Sequence, residues 1–501
     1  MRLAGLLAAI GLALVLAAAS DAQLIGGTKH ADLLVGTLRA DRIVARAGND
    51  RINVAGGGAD RVLCGPGADL VAADQTDRIG VDCEVVSKRM GTDPYRGGGA
   101  QHASTAEPDS FSWGTTVVAA FQVARFSNGG AQSIGFARST DAGLTWRSGL
   151  LPNLTVSSRP AGRFLRVSDP SVAYDALHGL WLVTSLGIGA SDTAVLVSSS
   201  ADGLHWSAPI VATQKENGPD GILLDKEWVA CDNGATSSFR GHCYLSYSDL
   251  GVVQLVTQTS TDGGKTWGPA IGAPDGAGRR GIQGPFAPAP QPVALPDGTL
   301  VVPLFDDEIS VVSSKNGGVS FSSATRIAPS TFSRSSGMRA GPFPSAEVGA
   351  DGSVLMAWPD CAARPRCSGN DLVFSKSQDG LTWTPPVKIP LGPGNHVMDG
   401  LAADPARPGR VAVTYYTESA GKLDVRLVWS RDGGATWSRP VLLTPERMPY
   451  SRIAVSGGAM VGDYMSTSFA DGRAVAVFTL AQSRLRGRLR QATFASSIAV
   501  P

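Results

Sequence analysis

The chain has 501 residues, with 44 Lys and Arg against 43 Asp and Glu and a formal net charge of +1. That balance gives no basic field for nucleic acid and no Lys/Arg stripe is interleaved with aromatics, so no nucleic-acid partner is expected. Sixty-one Gly and thirty-one Pro serve many turns, and no stretch sustains a 3.6-residue apolar period, so the expected fold class is all-β.

At the N-terminus Arg2 precedes an apolar run from Leu3 to Ala19 and a small-residue exit at Ser20-Asp21-Ala22. This is the layout of a secretory signal peptide over residues 1–22, so the mature chain is expected to be secreted or associated with the cell surface. The competing reading is a membrane anchor, because the run is near the length that spans a bilayer.

Residues 23–90 carry a short repeat. Asp32, Asp41, Asp50, Asp60 and Asp69 recur at intervals of nine or ten, followed by apolar pairs such as Leu33-Leu34, Ile43-Val44 and Val62-Leu63. Gly56-Gly57-Gly58-Ala59-Asp60 and Gly65-Pro66-Gly67-Ala68-Asp69 resemble the nonapeptides of repeats-in-toxin proteins. The resemblance implies a short parallel β-roll whose glycine turns offer backbone carbonyls and the carboxylates of Asp50, Asp60 and Asp69 to Ca²⁺, a hard cation suited by oxygen ligands. Thr37 and Arg39 stand where glycines belong, and Lys29, Arg39 and Arg46 are able to replace ions with salt links. Arg96-Gly97-Gly98-Gly99-Ala100 reads as part of a linker over 91–104.

From residue 105 onward a longer period takes over. Six segments share one pattern: Ser139-Thr140-Asp141-Ala142-Gly143-Leu144-Thr145-Trp146, Ser200 to Trp206, Ser260 to Trp267, Ser314 to Phe321, Ser377 to Trp383 and Ser430 to Trp437. Their closing aromatics lie 60, 61, 54, 62 and 54 residues apart, the period of a repeat array. Asp or Asn followed by Gly supplies a side-chain acceptor and a residue free to take positive φ, which builds a tight hairpin turn. Alternating apolar runs stand before most copies, so each joins two antiparallel strands. The five Trp are expected to be buried at equivalent outer-edge turns.

These six copies resemble the Asp boxes, or bacterial neuraminidase repeats, of the sialidase superfamily. That resemblance implies a β-propeller over 105–497 with about one box per four-stranded blade. Seven upstream segments recur: Glu107-Pro108-Asp109-Ser110, Asp169-Pro170-Ser171-Val172, Glu227-Trp228-Val229-Ala230, Gln291-Pro292-Val293-Ala294, Pro344-Ser345-Ala346-Glu347, Asp399-Gly400-Leu401-Ala402 and Asp463-Tyr464-Met465-Ser466. Seven blades are therefore expected, six being the alternative, with the boxless last unit borrowing a strand from the N-terminal side.

Six cysteines fall in three close pairs, Cys64 with Cys83, Cys231 with Cys243 and Cys361 with Cys367. Fifteen pairings are possible and the local one is simplest; metal binding competes, but there is no Cys-x-x-Cys pair. Three disulfides are expected, as an oxidising compartment permits.

The same resemblance implies a chemistry: three arginines on a substrate carboxylate, a Tyr nucleophile paired with Glu, and an Asp acid/base. The set here is incomplete, and Phe164-Leu165-Arg166-Val167 is a poor match to the first arginine motif. Acidic residues do recur at the starts of the inner strands. The catalytic candidates are Asp169, Asp399, Tyr464 and Glu227, and the substrate-binding candidates are Arg339, Arg452, Asp463 and Glu107. Convergence there would make a pocket in which one carboxyl is pushed up to serve as an acid while another stays ionised; the competing reading is that these side chains cap strand ends. Two functions follow: a secreted, monomeric, exo-α-sialidase-type glycoside hydrolase acting on acidic glycans, or a non-catalytic extracellular module binding glycan or glycoprotein.

Overall fold

The computed structural model describes residues 23–501 except 219–220, 253, 275–289 and 306–307; the expected signal segment lies outside the described residues. Eight short strands open the chain: β1 (Gln23–Gly26), β2 (Leu33–Val35), β3 (Asp41–Val44), β4 (Arg51–Asn53), β5 (Arg61–Leu63), β6 (Leu70–Ala73), β7 (Arg78–Ile79) and β8 (Val85–Arg89). They form two parallel ladders, β1-β3-β5-β7 and β2-β4-β6-β8, wound into a β-solenoid of about four turns. Two nine-residue repeats make one turn, so each Asp meets its counterpart two repeats on. Asp50 Oδ1 accepts from the Asp32 amide at 2.8 Å, Asp60 Oδ1 from Asp41 at 2.6 Å and Asp69 Oδ1 from Asp50 at 2.7 Å. Glycine is needed because the turns stack so closely: a Cβ on Gly65, at φ 90°, would lie 1.7 Å from the Arg46 carbonyl oxygen. Leu34, Ile43, Ile52, Val54, Val62 and Val71 fill the interior.

The solenoid is not a separate bead. Its last strand β8 pairs antiparallel with Gln491–Ala499, Ser87 opposite Ser496, which extends one sheet through Arg473–Ala481 to Ser466–Ala470. Gln482 Nε2 donates to Asn53 Oδ1 at 2.7 Å and Arg490 to the Ala55 carbonyl at 2.8 Å. The strand Gln101–Trp113 begins inside the stretch expected to be linker.

The all-β class holds, but the expected β-propeller, of seven blades or of six, is corrected. The chain forms a β-solenoid joined to many separate sheets of unequal size rather than a set of matching four-stranded blades. Among the described residues one sheet has eight strands, running from Gln101–Trp113 to Ile210–Glu216; three of four strands follow it in the chain; one has five; and one has seven and is shared with the solenoid. Boxes fix a hairpin locally and do not decide what the edges of its sheet do. Ala131 bridges to Val167 and joins two expected units, while Phe494 pairs with Arg89 and joins the last to the solenoid.

Within each box the chemistry is as the residue types require. Ser139 Oγ donates to Asp141 Oδ1 at 2.7 Å and accepts from the Gly143 amide at 2.9 Å, while the Thr145 amide donates to Asp141 at 2.9 Å. The equivalent bonds recur at Ser260 with Asp262 and at Ser430 with Asp432. Of the five Trp expected to be buried at equivalent outer-edge turns, Trp146 is 5% exposed, whereas Trp206, Trp267, Trp383 and Trp437 are only half-buried. Trp383 and Trp437 lie across their own turn and donate Nε1 to the Gly380 and Gly434 carbonyls at 3.2 and 3.1 Å, and each packs one side of its ring against a core. Disulfides join Cys64 to Cys83, Cys231 to Cys243 and Cys361 to Cys367.

Candidate functional site

Strands that each lead an antiparallel hairpin, among them Gln101–Trp113, Arg166–Asp175, Leu224–Cys231 and Asn395–Ala403, stand around one cavity of about 620 Å³. What aims side chains into it is a repeated irregularity. Four leading strands slip register against their neighbours, and at each slip a non-glycine residue takes a left-handed conformation: Glu107 (φ 51°), Asp169 (46°), Lys226 (55°) and Met398 (53°). Each is a β-bulge, which turns a side chain out of the alternating pattern. Such conformations cost roughly 1–3 kcal/mol each and persist only where the surroundings impose them.

Three of the four bulged residues meet. Lys226 Nζ lies 2.6 Å from Asp463 Oδ2 and 3.8 Å from Asp169 Oδ1. Arg339 grips the same Asp463 through Nε at 2.7 Å and through Nη2, a two-pronged contact suited to a planar guanidinium. Behind this layer Glu107 Oε1 accepts from the Asp463 amide at 3.1 Å, and Glu107 Oε2 pairs with Arg125 at 3.2 Å and with Gln122. Burial alone would push the Asp463 carboxyl up, but Lys226 and Arg339 hold it well below the usual carboxylate range. Burial lowers the Lys226 ammonium while Asp169 and Asp463 raise it, with a net rise. Glu107 goes the other way: its burial outweighs Arg125 and raises it.

Beside the ion cluster are four more carboxyls, two of which, Glu227 and Asp399, lack partners. Glu227 is 1% exposed, and neither of its oxygens meets a donor; burial, with Asp169 adding to it, pushes the group well above the usual range. Asp399, 4% exposed and equally unpartnered, is pushed up to about 8 by burial. Asp109 rises to about 7 and Glu347 to about 8, again through burial first. All four line the cavity together with Asp169, Lys226, Asp463 and Tyr464. Tyr464 donates its hydroxyl to the Pro170 carbonyl at 3.0 Å, and its ring meets Trp228 edge-on at 5.0 Å. Burial and the surrounding carboxyls push its phenol far up.

The structure therefore brings together Asp169, Glu227, Asp463, Tyr464, Glu107 and Arg339. Asp399 shares the cavity without joining the ion cluster. Arg452, expected to face the pocket, lies instead in a short 3₁₀ turn and pairs with Glu446 at 3.0 Å; the expectation is corrected because that turn directs it along its own loop. His396 packs edge-on against Tyr415 at 5.4 Å, and Arg166 is spent on Asn128 at 2.7 Å. Sequence reasoning missed Lys226, Arg125 and Gln122. Strand alternation points Lys226 away from Asp225 and Glu227, and the bulge that overturns this leaves no signal in the sequence.

Among the described residues no group of three or more His, Cys, Asp or Glu is arranged to hold a metal. In the solenoid the second oxygens of Asp50, Asp60 and Asp69 are buried without a partner. Each is the kind of donor a hard cation takes, but Asp60 stacks on Asp41 while Asp69 stacks on Asp50, so the three stand on two separate ladders.

Residues 187–462, more than half of the chain, match the BNR repeat-like domain family. The chain belongs to that family. No curated protein matches it. Solved structures that resemble it include the Hadza microbial sialidase Hz136 (18% identity, 64% of this chain and 66% of that one, TM-score 0.44). A leech intramolecular trans-sialidase aligns at 14% identity over 72% of this chain and 70% of that one, TM-score 0.46. An ulvan lyase of polysaccharide lyase family PL25 aligns at 12% identity over 81% and 96%, TM-score 0.47.

Proposed function

We propose that the chain is a secreted glycoside hydrolase that cleaves its glycan in this cavity, with Glu227 as the acid. The observation that carries the reading is the buried Glu227 carboxyl with both oxygens unpartnered, beside the Asp169–Lys226–Asp463 cluster. A glycosidic bond breaks between two groups of opposite protonation state. Glu227, kept protonated by burial, donates to the leaving oxygen, and Asp169, held by the Lys226 ammonium, draws the proton from the attacking water. Trp228 and Tyr464 supply the aromatic wall on which a sugar ring rests. The finer reading is exo-α-sialidase action on an acidic glycan, with Arg339 meeting the sugar carboxylate in competition with Asp463. Secretion is part of the proposal, supported by three disulfides, as is Ca²⁺ on the spare oxygens of Asp50, Asp60 and Asp69.

One observation favours a non-catalytic glycan-binding module instead. The Tyr464 hydroxyl is spent on a backbone carbonyl, and Lys226, Arg339 and Arg125 are each paired with a carboxylate. A panel of fluorogenic sialosides and neutral glycosides separates the two. Turnover that falls at least a hundredfold in Glu227→Gln supports the hydrolase; protein inert on every substrate yet retained on a glycan array supports the module.

A further inference from the structure

We propose that the outer face of the β1-β3-β5-β7 ladder binds an acidic polysaccharide, independently of what the cavity does. Arg42 stands opposite Arg61 and Arg61 opposite Arg78 in the parallel register. These three arginines form a row across consecutive strands, spaced about 4.8 Å apart. All three are exposed, and among the described residues no carboxylate pairs with any of them. Like charges on directly opposed strand positions repel. Carboxylates are abundant in the same segment, but Asp41, Asp50, Asp60, Asp69, Asp74 and Asp77 are buried, several of them capping the amides of neighbouring turns. The fold turns most of the segment's negative charge inward, with Glu84 exposed and Asp32 and Asp82 half-exposed, and leaves a positive row on this face.

An evenly spaced row matches a linear polyanion better than a single anion, and guanidinium is the cation that grips sulfate or carboxylate with two N–H groups. Alternation along the strands puts a second row on the same face: Val44 opposite Leu63, both half-exposed. A basic row beside an apolar strip suits a sugar chain, whose rings carry anionic groups at the rim and C–H faces between. Single-stranded nucleic acid fits less well, since the outward residues of this face include no aromatic on which a base would stack.

The test uses the full chain on immobilised heparin, eluted with salt. The triple variant Arg42→Gln, Arg61→Gln, Arg78→Gln is compared with Arg147→Gln, Arg407→Gln, Arg431→Gln, which removes the same charge from exposed sites elsewhere. The proposal expects the ladder variant alone to elute at clearly lower salt, and its melting temperature without ligand to stay level or rise as the repulsion is relieved. Equal shifts in both variants, or none in the ladder variant, overturn it. So does a fall in melting temperature, which would mean that the row holds the solenoid together. Duplex DNA competing better than heparin at equal charge would overturn the polysaccharide assignment.

Discussion

Lys226 and Asp463 meet at 2.6 Å although 237 positions separate them in the chain, and both sit where a leading strand opens toward the cavity. The pair ties the strand Leu224–Cys231 to the segment that leads into Ser466–Ala470. Removing one partner of a buried pair leaves the other charge uncompensated, at a cost of about 3–5 kcal/mol. Lys226→Met is therefore expected to lower unfolding free energy by that order in a denaturant titration. Lys226→Met with Asp463→Asn should cost less than the sum of the single changes, because the two share one interaction.

The cavity carboxyls predict an unusual pH dependence of stability. Asp399 rises from 3.8 to about 8 on folding, so the folded state holds a proton that the unfolded state has released across that window. Stability from this group is full below about pH 4 and is lost as pH rises toward 8, with a slope of at most about 1.4 kcal/mol per unit. Asp399→Asn should flatten this part of the curve and raise stability at pH 8, read as denaturant midpoints at several pH values. A variant whose slope equals that of wild type would remove Asp399 from the account.

Much of this was legible in the chain, and the part that was not has a common cause. The boxes announced their hairpins because Ser, Asp and Gly satisfy one another within a few residues, so no distant partner is needed. Asp169, Glu227, Asp463 and Tyr464 were legible as a set because each starts a comparable strand. Lys226 and Arg125 were not: bulges at Lys226 and between Val123 and Arg125 break the period of two on which sequence alternation rests. The fusing of sheets through Ala131–Val167 and Phe494–Arg89 depends on edge geometry that no local pattern encodes. Arg452 was misplaced for the converse reason, since proximity in sequence to a leading strand does not aim a side chain held in its own turn.

The solenoid should respond to acid and to calcium in the same direction. Burial raises Asp60 to about 6, and Asp69 moves up for the same reason. Their contribution is present below about pH 4 and is lost as pH rises through 6. A cation on the spare oxygens would restore at neutral pH what protonation supplies in acid. Full-length protein at pH 7.5 should melt higher with Ca²⁺ than with chelator, and the difference should shrink at pH 5 and in Asp60→Ala. Identical melting with calcium and chelator at both pH values would leave the turns held by their amide bonds alone.

The unequal burial of the box tryptophans makes the last prediction. Trp146 is 5% exposed and packs with Phe121, Val475 and Ala495 in one core, while its indole Nε1 donates to the Gly143 carbonyl at 3.0 Å. Its backbone amide is further tied to the solenoid through Gln75 at 3.0 Å. Trp437 makes the same kind of indole bond, to Gly434, but is half-buried and meets chiefly Phe374, edge-on at 5.6 Å. Truncation removes transfer free energy in proportion to the area withdrawn from water and adds a cavity term only where neighbours enclose the space. Trp146→Ala should therefore cost about 3–5 kcal/mol, and Trp437→Ala roughly half as much. Denaturant titration of the two variants under one set of conditions decides the matter: equal losses would mean that the boxes are energetically equivalent despite their different surroundings.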